Sequence, residues 1–387
     1  MAAQARAVAA DTRSGSRPAP RSSRAGRPLS HLSAPAYASI LGTARKVEGA
    51  IVTDARGASR IDLRNGDGSV LLGWGDPLVE AAVARTPSVC SGRLEAEAAE
   101  RVGELIPSAE AVGFRSSLEA ALVDALVAAK TITGRDGAFF CDDETATSGD
   151  VDTLRDALDR HLGVLAALIV RPMDVPRDFL LAARRLTDRA GVVLVFDESR
   201  TALRLDLGGA QTLAGVMPDL TLLGSSLANG RQIAAVAGRM QPMTAMTATG
   251  DRVSAASLAA TCATLDRVVR DDVPDVLRVR GAEIEAEVDA KLRDTGADQL
   301  FEIVGDPTWS LISAIAGPDL DGEALEAALT ASLYAEGVLS CGAHIPSMAT
   351  RDEVVADLLR AYDVVLPALV ARAGEGQFPR PRSRSAA

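Results

Sequence analysis

Between Ala111 and Gly238 short apolar runs alternate with amphipathic ones, and no other feature limits the possible folds as much. The apolar runs are AVGFR (111–115), GAFFC (137–141), LAALIV (165–170), GVVLVFDE (191–198), DLTLLG (219–224) and QIAAVAG (232–238). Between them lie SSLEAALVDALVAAK, VDTLRDALDRH and RDFLLAARRLTDRAG, which repeat their apolar positions with a helical period. Strand-length runs with no polar alternation bury both faces, and helices between them supply the cover. The pattern predicts an α/β fold with a mainly parallel sheet. Ser116, with Glu119 three residues on, matches a capping box that opens the first of these helices. Aromatic residues make up only 3% of the chain, so the core has to be built from Ala, Val and Leu.

The flanking segments read differently. Gly49 to Arg64 forms a hairpin with its turn at Arg56-Gly57, followed by the Gly-rich loop Asn65-Gly66-Asp67-Gly68-Ser69. Pro77 opens a short helix, and residues 93–106 form an amphipathic one. From Arg252 two long helices, two strand-like segments and two further helices indicate a smaller α+β domain. The expected organisation is a disordered basic tail (1–35), an N-terminal segment that joins the small domain (36–92), a large domain (93–251), the rest of the small domain (252–372) and a second disordered tail (373–387). The net charge is −11 while both tails are Arg-rich, so the folded body is strongly acidic, which argues against nucleic acid. No apolar run approaches the ~18 residues of a membrane helix, and no secretory h-region is present, so the expected location is cytoplasmic. Cys90, Cys141, Cys262 and Cys341 are scattered and read as free thiols, and His31, His161 and His344 are too dispersed for a metal site.

Several motifs in this order resemble class III aminotransferases of the fold-type I architecture, in particular the glutamate-1-semialdehyde aminomutase type. GAIVTDARGASRIDL with LLGWGDPLV looks like that family's opening hairpin and LGHxHP segment. GFRSSLEAALVDALVAAKTITGRD resembles its NSGTEA…ATGR helix, and LVFDESRTALRLDLGGAQ its IFDEVxTGFR…GGAQ segment. PDLTLLGSSLANGRQIAAVAGR and TATGDRVSAASLAA are similar to the two segments that follow. The resemblance runs from about Leu41 to Arg372 and implies a large domain with a mainly parallel sheet, a smaller α+β domain, and a homodimer with its active site at the interface. It also implies that Asp197 matches the aspartate paired with the pyridine nitrogen of pyridoxal phosphate (PLP). Arg204 matches the arginine of TGFR, and Thr247 falls where the neighbouring subunit's threonine reaches the phosphate.

The departures bear on function. Where the family carries its aldimine lysine, Leu223-Gly224 is followed by Ser225 and Ser226, and the only lysines are Lys46, Lys130 and Lys291. A serine forms no Schiff base. The phosphate-cradling Gly-Thr is replaced by Ser117-Leu118, the ring-stacking segment by CDDETATSGD, and Glu-Pro by Arg171-Pro172. The resulting expectation is that no cofactor is bound, or that pyridoxal or pyridoxamine phosphate (PMP) is held without a lysine aldimine. Three functions follow from it: a cofactor-independent acid–base isomerase, cyclase or lyase of specialised biosynthesis, a lysine-free PLP or PMP enzyme, and a non-catalytic binding or partner protein. The candidate catalytic residues are Asp197, which VVLVF would desolvate, Asp67, His344 and Ser225. Trp74, Ser116, Ser117, Arg204 and Thr247 are the candidate binding residues for a small molecule.

Overall fold

A computed structural model describes residues 37, 40–87, 91–141, 150–246, 252–315 and 320–379. Two compact units divide the chain: one contains Leu78–Asp271, the other Leu29–Pro77 and Asp272–Ala387. The second unit begins with the hairpin β1 (Ala44–Glu48) and β2 (Ile51–Asp54), followed by β3 (Ser59–Asp62). All three lie in one sheet in the order β1-β2-β3, with antiparallel pairing.

The first unit carries α1 (Pro77–Ala84), α2 (Ser91–Leu105), β4 (Ala111–Arg115), α3 (Leu118–Thr133) and β5 (Gly137–Cys141). Next come α4 (Val151–Arg160), β6 (Leu165–Val170), α5 (Arg177–Ala190), β7 (Val193–Asp197) and α6 (Ala210–Ala214). It ends with β8 (Leu220–Leu223), β9 (Ala234–Gly238), α7 (Met240–Thr244) and α8 (Ala255–Arg270). Its strands form one sheet in the order β4-β9-β8-β7-β6-β5. The pairs from β5 to β8 are parallel, and β9 runs antiparallel to both neighbours. The expected mainly parallel sheet is therefore present, and every residue of β6 is buried, as its unbroken apolar run requires.

A shortage of aromatics sets how the helices lie on this sheet. The inward face of α3 is Ala121, Ala125, Ala128 and Ala129, all fully buried against Ile169, Val195, Leu222 and Val236. Methyl-sized side chains at i, i+4, i+7 and i+8 bring the helix close to the strands. The helix ends at Gly134, whose left-handed backbone (φ 67°) places its N–H on the carbonyl of Lys130. Its start corrects the sequence reading by one residue. The cap is Ser117, which accepts from the Ala120 N–H at 3.2 Å, rather than Ser116. The other face of the sheet packs Phe179, Leu180 and Ala183 of α5 beside Leu154 and Leu158 of α4.

In the second unit the chain continues through α9 (Val273–Thr295), β10 (Phe301–Asp306), β11 (Trp309–Ala314), α10 (Gly322–Ala335), β12 (Val338–Leu339), β13 (Ala343–His344) and α11 (Asp352–Gly374). β12 joins β3 in parallel, and β10-β11-β13 form a second, antiparallel sheet. Ile284, Val288, Leu325, Leu329, Leu358 and Leu366 build its core. Among the described residues no helix is long and apolar enough to cross a membrane, and no cluster of His, Cys, Asp or Glu has metal-binding geometry.

Candidate active site

In a parallel sheet the loops that follow the strand C-termini share one edge, where crevices for ligands form. Here β6, β7 and β8 deliver Arg171, Asp197 and Leu222 to that edge. They line a cavity of about 230 Å³ with Leu118, Leu122, Phe140 and Ile169 as apolar walls and Glu119 and Cys141 at its border. Asp197 ends β7, and its Oδ1 accepts from the Ser199 N–H at 3.1 Å. Its Oδ2 faces Arg171, whose Nε is 3.7 Å away. The same guanidinium binds Asp174 through Nη1 at 3.1 Å. Burial pushes the Asp174 carboxyl up, and Arg171 and Arg200 act against that shift. The sequence reading took Asp197 as a carboxylate among apolar walls. The structure keeps those walls and adds a cation, because the exchange that placed Arg171 before Pro172 gives Asp197 an ion pair.

The two serines beyond β8 are placed by a close approach of backbones. Gly224 lies so near Ser199 that a Cβ there would meet the Ser199 Cβ and carbonyl at 3.0 Å. Ser225 then opens a tight turn over Ser225–Ala228, is half-buried, and accepts from the Gly230 N–H through its carbonyl at 2.9 Å. It lies beyond the same sheet edge as Asp197 but does not line the cavity. None of the lysines lines the cavity either. Lys130 pairs with Asp136, and in the other unit Lys46 pairs with Glu48 and Lys291 with Asp363, all at the surface.

At the other border of the cavity, Glu119 folds back onto the first turn of α3. Its carboxyl is held below the usual range by its own backbone N–H and by the Ser117 hydroxyl. Arg204 is 1% exposed, so it is buried rather than open to a ligand. The loop that carries it is organised by Glu198, a residue the sequence reading passed over. Glu198 is fully buried and accepts from the Thr201 hydroxyl, the Ala210 N–H at 2.9 Å and the Gln211 N–H at 2.8 Å. Burial pushes its carboxyl up and these donors pull it back. The legible signal was the acidic pair at a strand end with a threonine three residues on. Thr247 lies outside the described residues.

The candidates of the second unit prove to be structural. Asp62, at the end of β3, is completely buried and accepts from the Tyr37 hydroxyl and the Trp74 indole N–H, each at 2.8 Å. It also accepts from the backbone N–H groups of Arg64 and Asn65 at 3.0 and 3.1 Å. Trp74 is thus an anchor of the Asp62 network. Asp67 is not a free acid, since Arg64 Nε donates to it at 2.6 Å. Both belong to a turn in which Asn65, Gly66, Asp67 and Gly68 all have positive φ (46°, 64°, 53° and 80°). Its hydrogen bonds run from Gly68 N–H to the Arg64 carbonyl and from Val70 N–H to the Asn65 carbonyl, both 2.9 Å. His344 does not lie in a loop over a site. It pairs with Ser310 in the sheet, is fully buried, and its Nε2 lies 2.9 Å from the Tyr362 hydroxyl. Burial pulls its pKa down to about 4, the opposite of what an accessible proton donor needs.

No protein-family model matches the chain. It is 28% identical to the glutamate-1-semialdehyde 2,1-aminomutase of Chlorobium limicola, over 70% of this chain and 76% of that protein. The PLP internal aldimine form of the FumI protein from Sphingopyxis sp. MTA144 superposes with a TM-score of 0.77 at 22% identity, covering 96% of this chain and 97% of that one. A K286A variant of a glutamate-1-semialdehyde aminomutase from Pseudomonas aeruginosa PAO1, in complex with PMP, gives 0.71 at 21%, covering 85% and 87%. The fold is that of fold-type I PLP transaminases. The expectation that no cofactor is bound is overturned, because one of these neighbours is a PLP aldimine and another holds PMP.

Tested against such a group, the residues fit at two points of three. The cavity has apolar walls and carries Asp197 and Arg171 for a ring nitrogen. The start of α3 lines this cavity through Leu118 and Glu119, and a phosphate there would displace the Glu119 carboxylate from its own backbone N–H and the Ser117 hydroxyl from the Ala120 N–H. For the third point, an amine to condense with an aldehyde, no lysine lines the cavity. PMP carries its own amine in place of the aldehyde and does not need it.

Proposed function

We propose that this chain is an aminotransferase- or aminomutase-like protein that holds PMP without a covalent link and uses it on a small carbonyl or amine substrate. The observation that carries this reading is the cavity at the C-terminal sheet edge, with a carboxylate and a guanidinium at its floor and no lysine on its walls. The K286A neighbour supports it, as an aminomutase that holds PMP with a lysine replaced. When bound, the group supplies a primary amine and an electron-withdrawing ring. The residues of the chain do the rest. Leu118, Leu122, Ile169 and Leu222 exclude water from the ring faces, Asp197 and Arg171 orient it by its nitrogen, and the Ser117 end of α3 receives the phosphate. Ser225, half-buried beyond the same edge, offers a hydroxyl that can hydrogen-bond a substrate but not link to it covalently. A homodimer that completes the site is part of the same proposal.

The test is an absorbance and mass titration with PLP and with PMP, before and after borohydride reduction. Retention of PMP with no adduct on protein treated with PLP supports the reading. A reduced adduct on Lys46, Lys130 or Lys291, or failure to retain either compound, overturns it.

A further inference from the structure

Resting on that reading, a finer assignment concerns the floor of the cavity. Asp197 does not present two open oxygens to the cavity. Oδ1 is taken by the Ser199 N–H and Oδ2 faces Arg171. Arg171 itself is clamped between two carboxylates, Asp174 in the turn after β6 and Asp197 at the end of β7, with Asp174 the more buried at 4% side-chain exposure against 15% for Asp197. Both Arg171 and Asp197 line the cavity. A ring nitrogen brought to this floor meets a guanidinium and a carboxylate already paired with each other. A protonated ring would set a second cation against Arg171 and compete with it for one oxygen. An unprotonated ring instead accepts a hydrogen bond from the guanidinium and leaves both ion pairs standing. Among the described residues, the other ionisable groups lining the cavity are Glu119 at the start of α3 and Cys141 at the end of β5, and Arg200 acts on Asp174.

We infer that Arg171 is the ring-nitrogen partner of this site: anchored by Asp174 and Asp197, it donates to the nitrogen of bound PMP and keeps that nitrogen without a proton. The role of Asp197 changes accordingly, from acceptor of a ring proton to holder of the arginine. The ring becomes a weaker electron sink, which favours substrates whose reaction places little negative charge on it.

The experiment is nitrogen NMR of full-length protein loaded with PMP labelled with ¹⁵N in the ring, followed from about pH 6 to pH 8, on wild type, Arg171→Gln and Arg171→Lys. The expected wild-type resonance sits at the unprotonated position throughout. In Arg171→Gln it moves to the protonated position, and Arg171→Lys, which retains the cation, restores the wild-type position. Circular dichroism checks that each variant is folded. A wild-type resonance at the protonated position, or one that Arg171→Gln leaves unmoved, overturns this inference alone. Absence of any bound resonance in wild type overturns the proposed function and this assignment together.

Discussion

Asp62 and Asp197 each end a β-strand, one in each unit, and their surroundings differ in a way that separates structure from chemistry. Asp62 is sealed from water and saturated by four neutral donors, two from the backbone and two from Tyr37 and Trp74. Asp197 has a single backbone donor, keeps 15% of its side chain exposed, and shares a cation with a second acid at the border of a cavity. A saturated carboxylate can only hold its neighbours in place. A carboxylate held by one backbone donor and one ion pair beside a cavity can instead position that cation for a ligand.

The largest expected break in this comparison is in stability. Asp62→Ala strands two backbone N–H groups, a phenol and an indole, and lowers the unfolding free energy by ~3–5 kcal/mol. Asp197→Ala changes it by less than about 1 kcal/mol, because its surroundings admit water. Urea unfolding of both variants measures the contrast, and equal losses would erase the distinction drawn between them. Next comes binding. Asp197→Ala removes one of the two anchors of Arg171, leaving Asp174, and weakens PMP about 10- to 100-fold, the worth of one charge-assisted hydrogen bond. Equilibrium dialysis against PMP reads it, and an unchanged affinity would remove Asp197 from the site.

His344 sharpens the same contrast for a buried group that binds no ligand. Its pKa of about 4 lies below its value in the unfolded chain, so the unfolded state takes up the proton first as the pH falls. The stability it lends is complete above about pH 7 and is reduced by ~2 kcal/mol at about pH 5. A His344→Gln variant is expected to lose this part of the pH dependence, and a wild-type slope retained in it would mean another group is responsible. The smallest effect is at Lys130, whose ion pair with Asp136 is exposed on both sides. Lys130→Met changes stability by no more than about 0.5 kcal/mol and leaves PMP binding unaltered. Loss of binding there would return a lysine to the site.

The fold was legible because it rests on the apolar runs of β6, β7 and β8, which are buried on both faces and admit little else. Of the candidates, Asp197 was legible as a cavity residue because a single residue ends its strand there. Most of what the sequence reading missed depends on partners far along the chain. Nothing local to Trp74 reveals Asp62 as its partner, and His344 meets the Tyr362 hydroxyl from α11, while the Arg64 partner of Asp67 stood three residues away and was passed over. Arg171 was noticed as a departure, but its meaning required two acids, Asp174 of the following turn and Asp197 of β7, to be seen around it. Glu198 was overlooked since its partners, Ala210 and Gln211, offer backbone groups that carry no side-chain signature.

The left-handed turn over Asn65–Gly68 has a consequence for how this protein can change over generations. Only Gly, Asn and Asp occupy that backbone region at low cost, so exchange at Asn65 or Asp67 is confined to a three-letter alphabet. At Asp67 the loop can shed its negative charge by a single step to Asn and keep its path, whereas Asn65 is fully buried and donates through Nδ2 to the Ile345 carbonyl at 2.7 Å, a bond an acid there would lose. Selection can therefore tune the charge beside Arg64 while the path of the chain stays fixed.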